Sequence, residues 1–144
     1  MSEHPESVQQ LFDEHQHLRD LLESVRASVA APQSSAAVSE MIGELAGQVT
    51  EHFRQEEAGG YFTDVIQHAP RLASRVASLQ KQHSLLADQL ERLRQQAART
   101  PPGGDAWQDL TGSFEQFCVT FNKHELAENQ LLQQAYTDDI GVDD

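Results

Sequence analysis

Four histidines occupy equivalent places in four different segments of the chain. Each falls on a series of apolar residues spaced three or four apart, which is the spacing of one helix face. These histidines are His15, His52, His83 and His124. Glu56 follows His52 and Glu128 follows His124, both four residues later. Because residues four apart lie one above the other on a helix, each histidine and its glutamate face the same direction.

Imidazoles and carboxylates on core-facing stripes predict a metal site. Buried polar groups are costly unless they have hydrogen bonds or bind a metal. Six donors are too many for one tetrahedral zinc ion, and four imidazoles are too many nitrogen ligands for calcium or magnesium. Cys118 is the only cysteine, so a cage of thiolates is excluded. Two carboxylates that bridge two ions, with imidazoles at the flanks, suit a non-haem di-iron centre.

The elements that must position these donors are helices. Proline and glycine clusters interrupt the chain at 31–35, 59–60, 69–70 and 100–104. The intervening segments are rich in Ala, Leu, Gln, Glu and Arg and show no period-two alternation. We therefore predict an all-α fold, an antiparallel up-down-up-down four-helix bundle with helices at about 5–31, 36–58, 70–99 and 105–136. A short extra turn is expected at 61–68, between the second and third helices.

The four histidines are expected near one layer of this bundle. At a rise of about 1.5 Å per residue, His15, His83 and His124 lie roughly 15–20 Å from the corresponding ends of their helices. His52 lies only about 9 Å before the end of its shorter helix, and the extra turn can fill the remaining depth. The neighbouring residues of the same faces are the candidate core, among them Leu11, Leu18, Val49, Leu79, Leu86, Phe114, Phe121 and Leu131.

Length and charge limit the other classes of function. A chain of 144 residues fits one domain, which we assign to residues 1–136, followed by an acidic tail at 137–144. Asp and Glu total 23 against 10 Lys and Arg, for a net charge of −13. This balance excludes the basic surface that nucleic acids or anionic lipids require. The chain shows neither a membrane-spanning apolar run nor the features of a secretory signal, so a cytoplasmic location is expected.

Four motifs in order resemble one known family. They are Glu14-His15 followed by Leu18, the block from His52 to Glu57, the single His83, and the block from His124 to Asn129. The chain resembles a hemerythrin-like, or HHE, cation-binding domain over about residues 8 to 135. The resemblance implies an antiparallel four-helix bundle with a di-iron centre. His15, His52, His83 and His124 would be terminal ligands, and Glu56 and Glu128 would bridge the two iron ions.

Two positions depart from the oxygen-carrying members of that family. Those members have a fifth histidine where this chain has Leu79, and a bridging aspartate where it has Glu128 beside Asn129. The remaining set of four histidines and two glutamates is similar to members linked to iron sensing, peroxide breakdown and nitric oxide handling. We expect a protein that binds or reacts with dioxygen, peroxide or nitric oxide. The alternatives are a di-iron enzyme with catalase-, peroxidase- or ferroxidase-like activity and a metal-free structural bundle.

Several residues near these motifs are expected to have other roles. Glu57 faces about 100° away from Glu56, so it should support a ligand or face solvent. Tyr61 is expected to pack, with a hydrogen bond to the centre or coordination as alternatives. His17, like His4 and His68, is expected on the surface. Cys118 is expected as a small buried apolar residue.

Overall fold

Five α-helices joined by short connections make up the described part of the chain. A computed structural model describes residues 6–138, with side chains described for 8–136. The helices are α1 (Glu6–Ala30), α2 (Ser35–Ala58), α3 (Tyr61–His68), α4 (Ala73–Arg99) and α5 (Asp105–Gln133). Pro5, His4 and residues 139–144 of the expected acidic tail lie outside the described residues.

The four long helices form the expected all-α bundle. α1 packs against α2 and α5, and α4 packs against the same two helices, so α1 lies diagonally opposite α4. The observed helix bounds differ from the predicted ones by at most three residues. Within the described residues no helix is both long enough and apolar enough to cross a membrane.

The two largest differences from the predicted bounds lie at helix ends. The third predicted helix was placed from residue 70, but Pro70–Leu72 form a 3₁₀ turn and the α-helix starts at Ala73. The Leu72 amide donates to the carbonyl of Ala69, three residues back, at 2.9 Å. At the other end, α5 stops at Gln133 and a π turn follows at Gln134–Asp138. The Gln134 amide donates to two carbonyls, those of Gln130 and Leu131.

The predicted extra turn is a helix of its own, α3. The Gly59 amide donates to the Gln55 carbonyl at 2.8 Å and closes α2. Gly60 then takes a φ of 99°, a left-handed conformation that is costly for residues with a Cβ. Phe62 and Val65 of α3 are buried, and they cover the end of the bundle where α2 stops short.

The apolar core is divided into two clusters along the bundle axis. The first extends towards the α1–α2 and α4–α5 connections and includes Leu22, Val29, Ile42, Leu90, Trp107 and Phe117. The second lies under α3 and includes Leu11, Phe62, Val76, Leu79, Leu131 and Leu132. Each long bundle helix contributes a buried histidine between them. A polar layer therefore crosses the bundle, with an apolar cluster on either side.

Candidate metal centre

The polar layer contains all six residues that the sequence marked as candidate ligands. The side chains of His15 and Glu56 are fully buried, and the other four are at most 4% exposed. The four remaining members are His52, His83, His124 and Glu128. Since each histidine comes from a different long helix, the bundle itself brings the six donors together.

Glu128 lies between two pairs of histidines, with one oxygen towards each pair. Its Oε1 atom is 2.9 Å from Nε2 of His15. Its Oε2 atom is 3.1 Å from Nε2 of His83 and 2.8 Å from Nε2 of His124. The two oxygens of this carboxylate therefore face two different positions in the layer.

Glu56 divides its oxygens in the same way. Its Oε1 atom is 3.2 Å from Nε2 of His83. Its Oε2 atom is 3.2 Å from Nε2 of His52 and 3.4 Å from Nε2 of His15. Two positions follow from this arrangement, one flanked by His15 and His52 and one flanked by His83 and His124. We call them the His15/His52 position and the His83/His124 position.

Every histidine of the layer turns its other ring nitrogen, Nδ1, towards an oxygen acceptor outside the cluster. Nδ1 of His52 lies 3.0 Å from Oε1 of Glu14, and Nδ1 of His83 lies 2.6 Å from Oε2 of Glu57. The two remaining Nδ1 contacts are His15 to Asn129 Oδ1 at 2.7 Å and His124 to Gln82 Oε1 at 2.6 Å.

These outer contacts fix which nitrogen faces the centre. An ionised carboxylate can only accept, so Nδ1 of His52 and of His83 donates to its glutamate. A neutral imidazole that donates through Nδ1 keeps a lone pair on Nε2, the atom that points inwards. Hydrogen bonds of this kind orient metal-binding histidines and raise their basicity. Glu57 was expected to support a ligand or to face solvent, and its carboxylate contacts His83 while remaining 44% exposed.

A third glutamate, Glu125, also enters the layer, and the sequence patterns did not single it out as a ligand. It is 2% exposed, and Oε2 lies 3.6 Å from Nε2 of His15. Neither of its side-chain oxygens has a hydrogen-bond partner. Burial raises the pKa of Glu125 to about 7, against the opposing influence of His15. One signal could have found it, because Glu125 lies four residues after Phe121 and three before Glu128 on the inward stripe of α5.

The carboxylates hold protons on His15 and His83 when no metal is bound. Burial by itself lowers the pKa of His15, but Glu128 and Glu56 outweigh it and raise that pKa to about 11. For His83, burial is again opposed by Glu128 and Glu56, with Glu57, and the pKa rises to about 10. Burial raises the pKa of Glu128, but the three neighbouring histidines hold it well below its usual range. A metal ion that binds here must displace protons.

Aromatic rings close the His83/His124 position on the side of α2 and α3. The Phe53 ring stacks on the His83 ring, with centroids 3.9 Å apart and planes at 6°. Phe53 also meets His124 edge-on at 5.6 Å, and Phe62 lies 5.7 Å from His83. These rings supply an apolar wall, which limits solvent access to the imidazoles and shapes the local dielectric.

The residues that were given other roles lie outside the layer of donors, and Tyr61 is near enough to it that burial, together with Glu14 and Glu56, raises the Tyr61 pKa. His17 is exposed and bonds to Gln48 at 3.1 Å, and His68 is exposed beside the Tyr136 ring. Tyr61 is half-buried and packs on the cluster under α3. Cys118 is a free cysteine buried in the other cluster.

The donors that are present fit metal ions. Both oxygens of Glu125 are buried without a hydrogen-bond partner, and His52 Nε2, Glu56 Oε1 and Glu128 Oε1 have only ion-pair contacts inside the layer, without hydrogen-bond geometry. Such atoms are costly in a protein interior unless a cation satisfies them. The donor atoms form two groups, and the atoms inside each group lie within 4.8 Å of one another. Glu128 belongs to both groups. One contains His15, His52, Glu125 and Glu128, and the other contains His83, His124 and Glu128.

A four-helix bundle with a buried layer of imidazoles and carboxylates defines a class of metal-binding bundle proteins. The comparison with known families gives the same result. The hemerythrin HHE cation-binding domain matches residues 6–136, nearly the whole chain, and the protein belongs to that family. Neither the curated proteins nor the solved structures give a significant match.

Proposed function

We propose that this protein holds two iron ions in the polar layer and uses them to bind or react with dioxygen, peroxide or nitric oxide. His15 and His52 would hold one ion, His83 and His124 would hold the other, and Glu56 and Glu128 would bridge the pair. Membership of a cation-binding family and the two groups of metal-capable donors support this proposal.

The observation that carries the proposal is the division of each bridging carboxylate between two histidine pairs. Glu128 turns Oε1 towards His15 and Oε2 towards His83 and His124. A carboxylate that served one ion, or that only balanced one charged histidine, would not need both oxygens in this arrangement. Imidazole and carboxylate donors without thiolate suit non-haem iron, whereas structural zinc sites are built mainly from cysteine and histidine.

Bound iron would supply the redox chemistry and the affinity for a small ligand. The residues around it hold the imidazoles in one orientation through Glu14, Glu57, Gln82 and Asn129. The two apolar clusters exclude bulk water from both sides of the layer. Phe53 covers the His83 ring and keeps the site dry on that side.

The first experiment measures iron and zinc per chain by elemental analysis after anaerobic loading with ferrous iron and desalting. His83→Ala removes a ring nitrogen that faces both glutamates. His17→Ala removes an exposed histidine and is the matched control. About two irons per chain are expected in the wild-type protein and in the His17→Ala protein, with a clear loss in the His83→Ala protein.

Negligible metal in all three proteins would contradict the proposal and would leave the metal-free structural bundle. A centre that holds only zinc would contradict the redox part of the proposal. Turnover is a separate question, since an iron pair can bind a ligand reversibly or consume it. Steady oxygen evolution from peroxide would indicate an enzyme, whereas a spectral change reversed by purging would indicate a binding protein.

A further inference from the structure

Glu125 differs from Glu56 and Glu128 because neither of its oxygens accepts a hydrogen bond from the described residues. Both of its oxygens are buried without a hydrogen-bond partner, and the nearest cationic atom is Nε2 of His15 at 3.6 Å. Glu56 and Glu128, in contrast, lie within 3.2 Å of at least one histidine nitrogen each. A carboxylate in such surroundings requires a cation to remain ionised.

The donor atoms of Glu125 lie with one of the two metal positions. Ligand atoms of His15, His52, Glu125 and Glu128 lie within 4.8 Å of one another. Glu56 adds its Oε2 atom to the same position, since that oxygen faces His52 and His15. The His15/His52 position thus has five protein donors within reach.

The His83/His124 position has four protein donors among the described residues. They are the Nε2 atoms of His83 and His124, Oε1 of Glu56 and Oε2 of Glu128. Residue 79, one turn before His83 on the inward face of α4, is a buried leucine that offers no donor atom. Glu57 and Gln82 contact the Nδ1 atoms on the outer side of the two rings. The aromatic wall of Phe53 and Phe62 completes the surroundings.

We infer that Glu125 is a fifth donor at the His15/His52 position, and that the unequal donor sets direct an external ligand to the ion at the His83/His124 position. This inference rests on the proposed function and adds to it the side of the centre at which a small molecule binds. An ion with fewer protein donors keeps a coordination place for dioxygen, peroxide or nitric oxide.

The test compares Glu125→Gln with the wild-type protein. The substitution keeps the shape of the side chain and removes its charge. Glu44→Gln, at an exposed position of α2, is the control for the change of net charge. Circular dichroism of the metal-free proteins checks the fold. Thermal unfolding of metal-free Glu125→Gln is expected at the wild-type temperature or higher, because burial disfavours the Glu125 charge more than His15, 3.6 Å away, favours it.

Two readouts of the loaded proteins then test the inference. Competition with a chelator is expected to show one of the two metals bound roughly 10–100-fold more weakly in Glu125→Gln and unchanged in Glu44→Gln. Nitric oxide titrated anaerobically into the di-ferrous proteins is expected to saturate at about one molecule per chain in the wild type and about two in Glu125→Gln. In a crystal structure of the zinc-loaded wild-type protein, a Glu125 oxygen is expected at about 2.0–2.2 Å from one ion.

Failure of the inference is distinguishable from failure of the proposed function. If the wild-type protein holds two irons, but Glu125→Gln has wild-type metal affinity and the same nitric oxide stoichiometry, Glu125 is a neutral buried acid and the inference is wrong. A zinc-loaded structure with Glu125 away from both ions overturns it even if the variant fails to fold. If the wild-type protein holds no metal, the proposed function and the inference fail together.

Discussion

The Nδ1 atom of His83 lies 2.6 Å from Oε2 of Glu57, so a half-exposed carboxylate holds a ring whose other nitrogen faces the buried centre. Glu57 adjoins Glu56 in sequence, yet the two carboxylates contact opposite edges of the same imidazole. One turn of α2 thereby supplies Glu56 to the interior of the centre and Glu57 to orient His83 of α4.

Removing the outer carboxylate should weaken metal binding without unfolding the protein. Glu57→Ala leaves Nδ1 of His83 without its acceptor, and loss of such partners typically lowers metal affinity 10–100-fold. We expect a decrease of roughly this size in chelator competition, with the circular dichroism spectrum unchanged. Glu44→Ala, on an exposed face of α2, should bind metal as the wild type does. Equal affinities for Glu57→Ala and the wild type would mean that this hydrogen bond does not orient a ligand.

The metal-free protein should lose stability as the pH rises above neutrality. The pKa values of His15 and His83 are raised to about 11 and about 10, above their ordinary value. The two histidines make their full contribution to the free energy of unfolding below about pH 6.5. This contribution is lost as the pH rises through their raised pKa values. The raised pKa of Glu125, about 7, acts in the same direction. Urea unfolding with chelator present should therefore give a lower free energy of unfolding at about pH 9.5 than at about pH 6.

Bound metal should counteract that loss of stability. Ligation requires imidazoles that have lost the proton from Nε2, so the proton competes with the metal and affinity rises with pH. The difference in free energy of unfolding between loaded and metal-free protein is thus expected to grow from about pH 6 to about pH 8. A difference that stays constant over this interval would contradict ligation by the histidines.

Metal removal should lower the melting temperature. A ligand that binds only the native state at about 100 times its Kd adds about 2.7 kcal/mol. At about 3 °C per kcal/mol for a chain of this length, each bound ion should raise the melting temperature by about 8 °C above that of the chelated protein. The measurement is calorimetry of the metal-loaded and the chelated wild-type protein. The melting temperature of His52→Ala should respond less to the chelator. An unchanged melting temperature in the wild type would favour a metal-free bundle.

Most of the fold was predictable because local signals agree along the chain. Breakers at 31–35 and 100–104 coincide with the observed connections, and one apolar stripe per segment defines the buried faces. The 3₁₀ turn at Pro70–Leu72 and the π turn after Gln133 were not predicted. Both depend on which carbonyl an amide selects, a choice made by packing at the helix ends and not by the spacing of apolar residues.

The candidate site was predictable where its donors fall on the same helix face as the apolar residues of each segment. His15, His52, His83 and His124 each interrupt an apolar stripe, and the i+4 spacing adds Glu56 and Glu128. Glu125 was missed because it adjoins His124, and neighbouring residues are about 100° apart on a helix. The inward face of α5 is wide enough to bury both residues, since α1 and α4 flank this helix on two sides. The width of a buried face comes from packing between helices, which a single sequence does not specify.

Glu128→Gln should affect both metal positions, in contrast to Glu125→Gln. The two oxygens of Glu128 face His15 on one side and His83 with His124 on the other. Its loss also removes the counter-charge of the histidines whose pKa values it raises, so the metal-free variant should be less stable than the wild type at neutral pH. Elemental analysis should show loss of both irons, and metal-free melting curves should show Glu128→Gln below and Glu125→Gln at or above the wild type. If Glu128→Gln retained one iron at wild-type affinity, Glu128 would be a ligand of a single ion and the bridging role would be wrong.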